Sequence, residues 1–217
     1  MNYKTRTHPR AKRLTLRLDK AGQPVVTVPR FTPKLFVDAF VRQQRDWIAT
    51  QQHHLHERQA EFVSDQFITV FGKQYQRKTD KTESASRVAI RGKTLTIYLH
   101  QPAKANQVLE KFLKNTATRY IIPRVHQLAK QMKVKFNKVS LRAQSTRWGS
   151  CSSAGSLSFN WKMVHFTPEI IDYVIIHELA HLKHLDHSKD FWQFVEQFDP
   201  EFKLHRGWLK RQGIGVN

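Results

Sequence analysis

The sequence predicts an α+β protein in which a β-hairpin-rich N-terminal portion with one long helix precedes a domain that joins a histidine-bearing helix to a small antiparallel sheet. Three observations support this class. Strand-like runs flank glycine turns in the first hundred residues, longer segments repeat apolar residues at helical spacing, and two histidines lie four positions apart in one such segment. We place the boundary after residue 102, which gives domains over 1–102 and 103–217.

Three hairpins are predicted in the N-terminal portion, because each pair of strand-like runs is separated by a short segment that contains glycine. Each hairpin would place alternate side chains on opposite faces of a two-stranded ribbon. The paired runs and their turns are 14–18 with 25–28 around Gly22, 67–71 with 75–78 around Gly72, and 88–90 with 95–99 around Gly92.

Two long helices are predicted from apolar stripes. The first covers 33–62, and the second covers 104–132, where Pro123 predicts a kink or a break. The stripe of the first helix consists of Phe36, Phe40, Trp47, Ile48 and Leu55. The candidate core residues of the second are Leu109, Leu113, Tyr120, Ile121, Val125 and Leu128.

A further helix is predicted over 168–185, starting after Thr167 as N-cap, and it contains the pentapeptide HELAH at 177–181. Residues four apart on a helix are offset by about 40°, so His177 and His181 project from one face. Together they can bind one Zn²⁺, and Glu178 is a candidate base for water that the metal activates. The alternative is a surface helix whose histidines have no chemical role.

A catalytic zinc site uses three protein ligands and leaves a position for water or substrate, so a third ligand is needed. The candidates are His184, His187 and the acidic Glu196. His187 is preferred, since the capping residues Asp186 and Ser188 predict a helix break that would turn the chain back towards the metal. His184 and Glu196 remain alternatives.

The segment from Arg147 to Trp192, RWGSCSSAGSLSFNWKMVHFTPEIIDYVIIHELAHLKHLDHSKDFW, resembles the YgjP-like predicted metal-dependent hydrolases, which are relatives of the SprT-like and Wss1-like zinc proteases. The similarity extends over most of the chain. It implies a zincin-like catalytic domain, with His177, His181 and His187 as metal ligands and Glu178 as the catalytic base. Asp186 departs from the family pattern, where Asn more often precedes the third histidine; both are capping types.

Cys151, Trp148 and Trp161 lie close to the motif in sequence, and packing roles are predicted for all three. A metal-activated nucleophile leaves no need for a cysteine nucleophile, so Cys151 is expected to be a half-buried apolar residue. The segment 156–161 alternates small polar with large apolar residues, the period of a half-buried strand. The family resemblance implies that this strand lies beside the active-site helix, with a free edge for an extended peptide.

The composition favours a cytoplasmic enzyme. No stretch approaches the roughly 18 to 20 apolar residues of a membrane span, the basic start lacks the apolar stretch of a secretory signal, and the single cysteine forms no internal disulfide.

The net charge of +20 predicts attraction to polyanions such as DNA or RNA, although a basic solvated surface without a partner explains it equally well. Nothing in the sequence indicates an oligomeric state.

Three functions follow from these features. The first is a zinc metallopeptidase that acts on a protein or peptide, including one bound to nucleic acid. The second keeps the metal site, with zinc or another divalent ion, but hydrolyses a nucleoside triphosphate as a nucleotide pyrophosphatase. The third is a non-enzymatic basic nucleic-acid-binding protein with a structural metal, against which Glu178 argues because a structural site needs no acid beside its ligands.

Overall fold

The computed structural model describes residues 2–19, 22–101, 104–144 and 147–212, without the side chains of residues 53–61. This part of the chain is α+β, with six α-helices and three small sheets. The chain divides into two compact units, Met1–Glu61 and Phe62–Asn217. The boundary predicted after residue 102 falls inside the second unit, at residues that the structure does not describe. No helix among the described residues is both long and apolar enough to cross a membrane.

The first unit contains a three-stranded sheet and two helices. Its strands are β1 (Lys4–Thr7), β2 (Thr15–Leu18) and β3 (Pro24–Val28). The central strand β3 pairs parallel with β1 and antiparallel with β2. The helices are α1 (Lys34–Gln43) and α2 (Arg45–Phe62). The buried core residues of this unit are Val26, Val28, Val37, Val41 and Ile48.

The prediction of one long helix over 33–62 is wrong, because Gln44 separates α1 from α2. Gln44 has φ −91° and ψ 13°, outside the helical region, so the helical period restarts after it. Consequently a single stripe does not describe the buried side: Phe36 is 63% exposed and Trp47 is 41% exposed, whereas Ile48 is buried. The side chain of Leu55, the last member of the predicted stripe, lies outside the described residues.

The second unit begins with a four-stranded sheet of order β4-β5-β7-β6. Its strands are β4 (Phe67–Val70), β5 (Lys73–Lys81), β6 (Arg87–Arg91) and β7 (Thr94–Leu99). The outer pairs β4–β5 and β6–β7 are antiparallel, and the central pair β5–β7 is parallel. At the β4–β5 turn Gly72 has φ +73°, a left-handed conformation that glycine adopts without steric cost.

The long helix α3 (Ala105–Gln131) continues through Pro123 without a break. It is followed by β8 (Lys138–Arg142), β9 (Gly149–Cys151) and β10 (Ser156–Asn160), which form a sheet of order β8-β10-β9. The small sheet was predicted to be antiparallel but is mixed, because β9 occupies the antiparallel side of β10 and β8 pairs with the other side in parallel. The buried residues of α3 are Leu109, Leu113, Ala117, Ile121, Val125, Leu128 and Ala129, and the predicted Tyr120 is only partly buried.

A short 3-10 helix over Trp161–His165 leads into α4 (Pro168–Ala180), and the last described elements are α5 (Lys189–Glu196) and α6 (Phe202–Arg211). The predicted helix over 168–185 therefore ends at Ala180, earlier than expected. The backbone N–H groups of Lys183 and His184 both bond the carbonyl of Ala180, which tightens the chain into turns and ends the helix. Every residue from Tyr173 to Ala180 is buried, so α4 lies inside the unit.

Candidate metal centre

The helix α4 carries His177 and Glu178 in its last turn, and both residues are 1% exposed. His181 is the first residue after the helix, with φ −64° and ψ −13°. Because this backbone is still close to helical, His181 keeps the position one turn beyond His177. The two imidazole ring centroids lie 5.0 Å apart.

His187 reaches the same place from the loop between α4 and α5. Two capping bonds shape this loop: Asp186 Oδ1 accepts from the N–H of Ser188 at 3.3 Å, and Ser188 Oγ accepts from the N–H of Phe191 at 3.5 Å. The start of α5 is thereby fixed immediately after His187. The Nε2 atoms of His187 and His177 are 3.1 Å apart.

The three histidines form a nearly equilateral cluster, with His187 centred 5.0 Å from His177 and 4.9 Å from His181. One nitrogen of each ring lies within 4.8 Å of the others, so the group could hold a metal ion. Ligand nitrogens of a tetrahedral zinc site are roughly 3.3 Å apart, given bonds of about 2.0–2.1 Å, and the 3.1 Å between two Nε2 atoms is close to that spacing. The side chains present therefore fit a divalent metal.

The tautomer of His181 is set by a backbone contact. Its Nδ1 lies 3.1 Å from the carbonyl oxygen of His184, and a carbonyl can only accept, so Nδ1–H is the donor. In the neutral ring Nε2 then carries the lone pair that a metal needs. His184 thus supports the cluster through its backbone.

The alternative third ligands lie elsewhere. Among the described residues, the cluster that could hold a metal contains His187 but neither His184 nor Glu196. The His184 ring packs against Phe194 at 5.7 Å, and Glu196 is exposed at the end of α5. The break between the two helices brings His187, rather than these residues, to His177 and His181.

Glu178 is a carboxyl group enclosed by protein. Burial raises its pKa to about 8, against the lowering effects of the Arg147 charge and of a hydrogen bond from the backbone N–H of Cys151. Within the described part of the chain its Oε1 atom has no hydrogen-bond partner. A buried acid with an uncommitted oxygen, next in sequence to one of three convergent imidazoles, is a candidate proton acceptor.

Gly149 in β9 touches Glu178 through its backbone, a contact that sequence reasoning missed. A Cβ atom built on Gly149 would lie 2.5 Å from Cγ and 2.6 Å from Oε1 of Glu178. Only glycine lets the strand approach the carboxyl group this closely. The available signal was the glycine within RWGSC, which is compatible with close approach of another group but does not identify that group.

Asn160 is a second missed residue. It is fully buried, and its Nδ2 donates to the carbonyls of Gln144 at 2.8 Å and Arg147 at 3.4 Å. These bonds hold the chain that leads into β9 and thus support the strand beside Glu178. No local pattern in the sequence distinguishes this asparagine, because its partners are more than ten residues away.

Two aromatic residues of α5 enclose the histidines. The Phe191 ring lies 5.0, 4.7 and 4.8 Å from the rings of His177, His181 and His187. Trp192 stacks on His187 at 5.5 Å with an interplanar angle of 22°. Both rings belong to the start of α5, and in the structure they surround the imidazoles.

The packing roles predicted for the neighbouring residues agree with their positions. Trp148 and Trp161 are 6% and 7% exposed, and Cys151 is half-buried. Burial, with a smaller contribution from Glu178, raises the pKa of the Cys151 thiol to about 11, so the thiol stays protonated near neutral pH. The strand predicted over 156–161 lies at the centre of its sheet as β10, so the edge beside α4 belongs to β9 instead.

Comparison with known proteins defines the class as metallopeptidase: residues 12–212 match the model of the YgjP-like metallopeptidase domain. The chain belongs to the YgjP-like family. Among solved structures, the zymogen of the metallopeptidase abylysin from Pyrococcus abyssi is 22% identical with a TM-score of 0.41, covering 45% of this chain and 99% of that one. The zymogen of jannalysin from Methanocaldococcus jannaschii is 20% identical with a TM-score of 0.39, covering 43% and 97%. No curated protein matches the sequence.

Proposed function

We propose that this chain is a zinc-dependent metallopeptidase with a zincin-like catalytic domain, in which His177, His181 and His187 bind the metal and Glu178 is the general base. The observation that carries this proposal is the convergence of three imidazoles within 4.8 Å, with a buried carboxyl group next to one of them in sequence. Membership of the YgjP-like metallopeptidase family supports it. All four residues lie within 103–217, which we assign as the catalytic domain.

The donor set favours zinc. Three neutral imidazoles leave a fourth tetrahedral position for water or substrate, which is the composition of a catalytic zinc site rather than a structural one. Imidazole ligands also suit other divalent ions, so metal analysis of the purified protein has to establish the identity.

The reaction is divided between the metal and the protein. When bound, zinc would polarise both the attacking water and the scissile carbonyl. Glu178 accepts the proton of the water and returns it to the leaving amine. The N–H of Cys151 and the backbone of Gly149 hold its carboxyl group in place, so the base needs no rearrangement before the proton moves.

A peptide substrate is favoured by the position of β9. This strand pairs with β10 on one side and is the edge of the described three-stranded sheet on the other, while its Gly149 contacts Glu178. An extended peptide that added to this edge would place its backbone carbonyls beside the base and the histidine cluster. The backbone would supply affinity irrespective of the peptide sequence.

The deciding experiment compares Glu178→Gln with Glu196→Gln, a matched change at an exposed carboxylate of α5. Each protein is purified with its metal, and hydrolysis of casein and of nucleoside triphosphates is measured. We expect one zinc per chain in both variants, casein hydrolysis by wild type and Glu196→Gln, and a loss of at least roughly a hundredfold in Glu178→Gln. Retained activity in Glu178→Gln would refute its role as base. Cleavage of nucleotides alone would replace the peptidase assignment with the pyrophosphatase.

A further inference from the structure

The sheet of the first unit has one face that carries cations and hydroxyls. In the register of β1, β3 and β2, Arg6, Thr27 and Thr15 stand side by side, and Lys4, Val25 and Arg17 form the adjacent row. Side chains in one row of a sheet point to the same face, and rows two residues apart share that face. These six residues define the cationic face, and none of them is acidic.

The opposite face of this sheet is the core side. Val26 and Val28 pack there with Val37 and Val41 of α1. The cationic face therefore points away from α1, and Lys4, Arg6, Thr15 and Arg17 are exposed in the structure. An ion pair joins Lys4 to Asp19 at 3.0 Å, at the end of the face remote from Arg6.

More cations gather at the Arg6 end of the sheet. The last residue of β1 and the first residue of β2 both lie near Val28, the last residue of β3. There the N–H of His8 donates to the carbonyl of Val28 at 3.1 Å. The connection between β1 and β2 therefore crosses this end of the sheet, and Arg30 follows β3 there. The exposed basic residues of this connection are Arg10, Lys12 and Arg13.

We infer that the cationic face binds the phosphate backbone of a nucleic acid. Lys4 and Arg6 are spaced about 7 Å along their strand, and two Thr side chains in the row of Arg6 add neutral donors for phosphate oxygens. The cations of the face lie on two strands, and the basic residues of the connection between β1 and β2 add further positive charge beside them. A phosphate backbone can therefore contact several cations at successive phosphates. Binding here does not depend on the metal centre.

An anionic membrane fits this face less well. Its only large apolar side chain, Val25, is 8% exposed, so the face offers nothing to insert between lipids. The exposed apolar residues Leu35 and Phe36 belong to α1, the layer on the other side of the sheet, and the exposed Phe31 lies in the connection between β3 and α1 rather than on the face. The cationic face has cations and hydroxyl groups but no exposed apolar side chain, and this composition favours contact with a nucleic-acid phosphate backbone over contact with a membrane.

The test measures binding of the full-length protein to fluorescent single-stranded and duplex oligonucleotides across a series of salt concentrations. The variant Arg6→Gln with Arg17→Gln is compared with Arg119→Gln plus Arg142→Gln, which removes the same charge from exposed positions in the second unit. Two lost phosphate contacts should weaken binding about 25- to 60-fold at roughly 0.1 M salt and reduce the slope of log K against log salt by about 1.4 for single strands or 1.8 for duplexes.

The matched control should stay within about threefold of wild type, because the inference assigns no phosphate contact to Arg119 or Arg142 and exposed charges that make no contact are screened by salt. Equal weakening in both double variants would show that only net charge matters and would overturn the inference. So would failure of wild type to bind either oligonucleotide at low salt, or binding to phosphatidylserine vesicles without binding to oligonucleotides. Circular dichroism of each variant verifies that the sheet is folded.

Discussion

The carboxyl group of Glu178 is held by contact with the backbone of Gly149 as well as by the hydrogen bond from Cys151, and this makes Gly149 a sensitive position. A methyl group at Gly149 would lie 2.5–2.8 Å from three atoms of Glu178, nearer than atoms in van der Waals contact can come. Either the strand or the base has to move. Proteins that position a reacting group lose activity steeply when it shifts by about 1 Å.

We therefore expect Gly149→Ala to reduce kcat by roughly a hundredfold while zinc remains bound. Gly207→Ala in α6 is the control, since the nearest atom to its added methyl is an Arg211 side-chain nitrogen at 3.9 Å. Peptidase rates and zinc content are measured for both. Normal activity in Gly149→Ala would mean that the position of Glu178 is not critical for the reaction.

The choice between His187 and His184 as third ligand gives a second prediction at the scale of single residues. His187→Ala removes a ring whose Nε2 is 3.1 Å from that of His177, so zinc binding should be lost. His184→Ala should retain zinc, because His184 contributes its backbone carbonyl to His181. Zinc content after dialysis against a weak chelator distinguishes them, and the reverse result would assign the ligand to His184.

Among the elements, α5 has the clearest connection to the proposed metal centre. His187 lies on a loop, and Trp192 one turn into α5 stacks against its ring. Trp192 also contacts α6, where Phe202 stacks on it at 5.3 Å and the Arg206 guanidinium lies 4.4 Å from the ring centroid. The orientation of His187 thus depends on how α5 packs on α6.

Trp192→Leu should weaken zinc binding roughly ten- to hundredfold, the usual effect of removing a group that orients a metal ligand. Phe194→Leu serves as the matched change, since Phe194 faces His184 rather than the cluster. Competition with a chromophoric chelator gives both affinities, and thermal melting records any loss of stability. If both variants bind zinc as wild type does, the stack on His187 has no positioning role.

The elements also show what a sequence can predict. The spacing of His177 and His181 and the caps around His187 are local signals, and they place three imidazoles together without knowledge of the fold. The break at Gln44 and the early end of α4 had no such signal, because apolar residues at helical spacing recur on both sides of each point. Gly149 and Asn160 act through contacts between distant segments, which periodicity does not record. Tertiary packing decides these features.

At the scale of the molecule, one hydrophobic core connects the elements of the second unit. It includes Ile68 and Leu95 from the four-stranded sheet, Ile121 from α3 and Val174 from α4. His165 lies among these layers and is 7% exposed. Its Nδ1–H donates to the carbonyl of Thr69 in β4 at 2.6 Å, and its ring stacks on Phe62. A histidine at this position couples the whole unit to pH.

Burial lowers the pKa of His165 from 6.5 to about 4. His165 therefore becomes protonated below pH 6.5 in the unfolded chain but only below about pH 4 in the folded chain. Stability from this group is complete above pH 6.5 and decreases as pH falls towards 4, by about 3 kcal/mol in total.

We expect the free energy of unfolding of metal-free wild type to drop about 2.5 kcal/mol more between pH 7.5 and 4.5 than that of His165→Gln, measured by urea denaturation. His165→Gln should be the less stable protein at pH 7.5, because its packing is altered, yet the less acid-sensitive one. An equal drop in both would show that His165 is not the group through which acid destabilises this core.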